Sequence, residues 1–150
     1  MRINIVKDFL NSQAWQYTQV KDSNILIFGI KGRNAKFQCI ADSQEEDKRF
    51  FFFSVCGANT PSENRSEMLD LLNFLNFDLF FGNFEMNPEN GEVRFRTSIS
   101  LNHIELNADF LEEIIMSNII TMDNNLPSIL GVMFGQINTE KAIELYHQEK

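Results

Sequence analysis

Cysteine and histidine are scarce in this chain, with two of each in 150 residues. Cys39 and Cys56 cannot build a disulfide framework for a chain of this length. Both fall in strand-like runs, where a buried reduced thiol is the ordinary case. His103 follows a strand and His147 lies in the charged tail. Neither has a second histidine or a cysteine at ligand spacing, so a zinc centre is not expected. Glycine is too thinly placed for a phosphate loop: Gly29-Ile30-Lys31-Gly32 has the wrong pattern, and no capped helix follows it. Long apolar runs are also missing. Phe50–Phe53 and Phe77–Phe81 are far too short to span a bilayer, and charges flank them. The first residues lack the apolar core of a signal peptide. Basic residues are outnumbered, 13 against 21 acidic, for a net charge of −8. That balance argues against nucleic acid or an anionic membrane as the main partner. These absences together suggest a cytoplasmic protein that is not an enzyme and carries no cofactor.

What the chain has is phenylalanine, 15 residues of it. Phenylalanine is normally buried, so this load implies a large core or a second buried surface. The clearest pattern runs from Phe80 to Leu101. Phe84 and Met86 share one parity, and Val93, Phe95, Thr97, Ile99 and Leu101 share one parity on the return. Period-two alternation of this kind marks half-buried strands. Pro88-Glu89-Asn90-Gly91 is the turn between them, with Gly91 free to take positive φ. Matching apolar to apolar across the ladder fixes the register: Asn87 opposite Glu92, Met86 opposite Val93, Glu85 opposite Arg94, Phe84 opposite Phe95.

The remaining elements follow in order. Ile3, Val6, Phe9 and Leu10 repeat at helical spacing in Arg2–Gln13. Trp15–Val20 reads as a strand. Ile25–Ile30 is a strand apolar on both faces, which implies a central position or one face given to a partner. Ala35–Ala41 and Arg49–Gly57 are two more strands. In the second of these, Phe50–Phe53 must point two to each side. Asp42–Lys48 between them is acidic, but Asp47 stands where a calcium loop needs glycine, so a solvated hairpin loop is expected. Thr60-Pro61-Ser62-Glu63 predicts a capping box opening a helix to Asn76. Asn107 caps another helix, which Asp123-Asn124-Asn125 is expected to break. Pro127 then opens a further helix ending near Gly135, and Thr139 opens a last one. The predicted order is α-β-β-β-β-α-β-β-α-α-α, one α+β domain over residues 1–150 with helices on an antiparallel sheet of about six strands.

From Met68 to Leu145 the chain resembles the YbjN family of bacterial proteins. The matching segments are Leu72-Asn73, Gly82-Asn83-Phe84-Glu85, Gly91-Glu92-Val93-Arg94-Phe95-Arg96 and Ser98-Ile99-Ser100-Leu101. Further on, Asp123 with Leu126-Pro127 and Ile129, then Gly135 with Glu140-Lys141-Ala142-Ile143, continue the match. The resemblance implies a fold similar to type III secretion chaperones, which are small, acidic, dimeric and bind polypeptides without nucleotide. It brings no catalytic residues with it.

Phe50, Phe51, Phe52, Phe53, Phe77, Phe80 and Phe81 exceed what one sheet face would bury, and surplus apolar surface marks an interface. The expected function is therefore a non-catalytic protein-binding module, chaperone-like or regulatory, forming a homodimer or meeting another protein. An alternative is a sensor or carrier of an apolar small ligand between sheet and helices, lined by Met116, Met122 and Met133. Cys56 with a remote histidine would be the only nucleophile, and a lone cysteine on an apolar strand is packing.

Overall fold

The computed structural model of the chain describes residues 1–149. Among these, the elements are α1 (Arg2–Ser12), β1 (Thr18–Gln19), β2 (Ile25–Lys31), β3 (Lys36–Gln44) and β4 (Arg49–Asn59). A 3-10 turn (Ser62–Asn64), α2 (Arg65–Phe77), β5 (Asn83–Met86), β6 (Glu92–Ser100), α3 (Ala108–Met133) and α4 (Thr139–Gln148) follow. The strands form one antiparallel six-stranded sheet in the order β1-β2-β3-β4-β6-β5. The architecture is α+β.

The β5–β6 hairpin has the predicted register, with Phe84 opposite Phe95, Glu85 opposite Arg94 and Met86 opposite Val93. Asn87 N–H donates to Glu92 O at 2.8 Å, and Gly91 takes φ +78°. Phe84 is 3 % exposed, and its ring lies 4.6 Å from that of Phe95. The strand itself is shorter than its parity suggests. Gly82, at φ +85°, turns the chain, so Phe80 and Phe81 lie outside the sheet. On its free side, Phe84 N–H donates to Asn76 Oδ1 at 2.7 Å and Phe84 O accepts from Asn76 Nδ2 at 3.1 Å. One side-chain amide at the end of α2 thus occupies the edge backbone as a neighbouring strand would.

Three other expectations are corrected. β1 keeps only Thr18–Gln19 of Trp15–Val20, because Trp15 is still held to the end of α1 through its N–H on Leu10 O. The Trp15 ring turns inward to stack on Phe28 at 5.5 Å. The capping box does not form: Thr60 Oγ1 is buried without a partner, and α2 begins at Arg65. At α4, Asn138 rather than Thr139 is the N-cap, its Oδ1 accepting from Lys141 N–H at 2.8 Å, while the Glu67 carboxylate of α2 accepts from Thr139 N–H at 2.8 Å.

The largest correction is that Asp123-Asn124-Asn125 and Pro127 do not divide the helix; α3 runs unbroken through them. A proline inside a helix leaves the carbonyl four residues earlier without its donor. Here that carbonyl belongs to Asp123, and Asn34 Nδ2, from the β2–β3 turn, donates to it at 2.8 Å. The Asp123 carboxylate in turn accepts from Arg33 N–H at 2.8 Å and Asn34 N–H at 3.0 Å. Turn and helix complete each other's hydrogen bonding.

The core lies between one sheet face and the helices. Phe28, Phe37, Phe50, Phe52, Phe84 and Phe95 meet Leu71, Leu75, Leu111, Ile115, Met122 and Leu126 there. Asn118 of α3 is fully buried among them. Its Oδ1 accepts from Ser54 Oγ at 2.6 Å, while its Nδ2 lies 3.0–3.1 Å from Phe52 O, Phe95 O and Thr97 Oγ1. Thr97 Oγ1 donates onward to Ile114 O at 3.0 Å. This polar seam fixes α3 across β4 and β6 in one position.

Candidate interaction surface

Strand alternation that sends Phe50 and Phe52 inward sends their neighbours to the other side of the sheet. Following the ladder outward from Phe53, its neighbours are Ile40, then Ile27, and on the other flank Arg96. Phe51 stands between Asp42 and Ser98, and Val55 between Gln38 and Arg94. The result is an apolar strip of Ile25, Ile27, Ile40, Phe51, Phe53 and Val55, each half-buried and none part of the core. The rings of Phe51 and Phe53 stack at 6.0 Å with their planes 5° apart. The Arg94 guanidinium lies 4.4 Å over the Phe53 ring and is held by Glu85 at 2.8 Å. Glu85 also pairs with Arg96 at 3.3 Å. A depression of about 640 Å3 adjoins the strip, lined by Gly29, Gly57, Lys31, Lys36, Gln38 and Val55.

The predicted interface residues divide. Phe50 and Phe52 have no exposed surface and leave the set, because they point under the helices. Phe51 and Phe53 lie on the open face. Phe77 and Phe80 stand at the corner between α2 and β5, 91 % and 99 % exposed, with Phe81 half-buried against the core. Ile25, Ile27, Ile40 and Val55 join Phe51 and Phe53, and the one sequence signal for this is the two-faced apolarity of Ile25–Ile30. That strand is second from the edge, so the apolarity does not reflect a central position.

Burial pushes the Cys39 thiol up to about 12 against the opposing effect of its contact with Ser54. Burial also raises Cys56. Neither thiol is activated as a nucleophile. Among the described residues, no group of three or more histidine, cysteine or acidic side chains is placed to hold a metal. No described helix is long and apolar enough to cross a membrane. Met122 and Met133 are fully buried in the core, and Met116 is half-buried on the same helix, α3.

A family model described as "Putative bacterial sensory transduction regulator", YbjN, matches residues 2–130. The chain belongs to the YbjN family. The match takes in the N-terminal half, which the motifs alone left out, and stops before Gly135 and Glu140–Ile143. Among solved structures, Escherichia coli YbjN, described as "a putative transcription regulator", superposes with a TM-score of 0.62 at 9 % identity. That alignment covers 86 % of this chain and 90 % of the other. A structure of the HopA1–SchA chaperone–effector complex gives a TM-score of 0.54 at 15 % identity, covering 81 % and 89 %. At these identities the likeness is one of fold. Comparison with curated proteins gives no significant match. The YbjN assignment and both structural neighbours are of non-catalytic kinds.

Proposed function

We propose that this YbjN-family chain is a non-catalytic protein-binding module, chaperone-like or regulatory, acting as one domain in the cytoplasm. The observation that carries the reading is the bare sheet face: the helices pack from one side, and six large apolar side chains line the middle of the other. Contiguous apolar surface of this kind marks an interaction site. A chaperone–effector complex among the structural neighbours adds support. The unpaired thiols of Cys39 and Cys56 suit a reducing compartment. The test purifies a protein captured by the chain and titrates it against wild type and the Phe51→Ser/Phe53→Ser variant. Binding lost in the variant, with unchanged circular dichroism, is the expected result. Equal binding by both would overturn the assignment of this face.

A second contact is favoured by Phe77 and Phe80, which carry two nearly bare aromatic rings on one corner. A two-fold axis would set such a patch against itself, and we assign it to a homodimer. Light scattering over a concentration series should give a dimer that Phe77→Ser/Phe80→Ser disperses. A monomer at every concentration would remove this contact.

A further inference from the structure

The outward side of the sheet differs in charge from the rest of the chain. The outward positions of the strands carry five cations, Lys31, Lys36, Arg49, Arg94 and Arg96, against three carboxylates, Asp42, Glu85 and Glu92. This face is net positive on a chain of net charge −8. Arg94 and Arg96 share Glu85. Among the described residues Lys31, Lys36 and Arg49 make no ion pair. Lys31 and Lys36 stand directly opposite each other in the ladder, a like-charge pairing that disfavours the sheet.

The arrangement is also ordered along the strands. Outward positions of β4 run Arg49, Phe51, Phe53, Val55 and Gly57, and Lys36 with Lys31 lies at the Gly57 end. A cation therefore stands at one end of the apolar strip and two cations with the single carboxylate of Glu92 at the other, about 26 Å apart along the strand.

Resting on the binding-module reading, we propose that the open face takes a polypeptide segment with an apolar centre and acidic residues on both flanks. Such a segment would be about 8 residues long if extended, or about 17 if helical. A second copy of this chain fits less well, because two such faces brought together would oppose their unpaired cations.

The test is a displayed library of peptides about 20 residues long, with centres randomised over Leu, Ile, Phe and Ala and flanks of either glutamate or lysine. It is panned against the full chain, the Lys31→Glu/Lys36→Glu/Arg49→Glu variant and the Phe51→Ser/Phe53→Ser variant. Glutamate-flanked peptides should enrich about tenfold over lysine-flanked ones on the wild type, and the charge-reversed variant should invert that preference. Equal enrichment of both flanks would overturn the acidic assignment while leaving the binding face intact. Enrichment no greater than on Phe51→Ser/Phe53→Ser would overturn both. The charge reversals lie on exposed side chains, so they report even if the double serine variant fails to fold. A dimer in light scattering that Phe51→Ser/Phe53→Ser disperses would give the face to a second copy and overturn the proposal.

Discussion

The two sides of the sheet are made from the same four-residue run, yet they do different work. Phe50 and Phe52 are sealed under α3, while Phe51 and Phe53 stack on a face that no helix covers. Polar groups follow the same division. On the inner side Asn118 has each of its bonds to protein, and on the outer side Arg94 rests its guanidinium on a ring beside solvent. Residue type does not distinguish the faces; the layer opposite does. Inner apolar groups hold the fold together, and outer ones face away from the helices.

The sharpest way to test that division is to truncate adjacent rings. Phe52→Ala should cost about 3–5 kcal/mol in urea unfolding, and Phe53→Ala under about 1 kcal/mol. Similar losses from both would mean the outer ring belongs to the core. Next in size is the polar counterpart. Asn118→Ala leaves the Ser54 hydroxyl with only its 3.6 Å contact to Cys39 and opens a void, for a loss of about 2–4 kcal/mol. Arg94→Ala, on the open face, should stay under about 1 kcal/mol. The smallest effect concerns Glu45, at the rim where the β3–β4 turn meets α1. Partial burial pushes its carboxyl up, but the Ile3 N–H at 2.9 Å, Ser43 Oγ and Arg2 outweigh this and hold it below its ordinary 4.5. A lowered folded value means the unfolded chain binds the proton more readily. Its contribution is present above 4.5 and disappears as pH falls through the lowered value. Glu45→Gln should therefore flatten the acid limb of a plot of Tm against pH, and an unchanged limb would show that other carboxylates set it.

How much of this was legible depended on the range of the interaction. The β5–β6 register followed from parity and a turn, both local, and residue pairing agrees position by position. The division of Phe50–Phe53 into two pairs was equally local. Which pair went inward depended on α3, whose Asn118 is 66 residues away from Phe52. The unbroken course of α3 was invisible for the same reason. Pro127 is a helix breaker on its own, and the donor that rescues Asp123 O comes from Asn34, 89 positions earlier. Thr60-Pro61-Ser62-Glu63 matched a capping pattern, but Thr60 N–H is taken by Gly91 O at 2.8 Å, which ties that residue to the hairpin. On the candidate surface, the aromatic members stood out by abundance. The isoleucines of β2 and β3 were ordinary strand residues until the sheet order set them beside Phe53.

The amide of Asn76 has a consequence for how the protein can assemble. A strand left bare at the end of a sheet templates another chain, and repetition of that pairing produces fibres. With Phe84 already bonded on its outer side, growth beyond β5 would first have to displace part of α2. At the β5 edge, association is thereby directed away from strand-on-strand stacking and toward encounters through side chains.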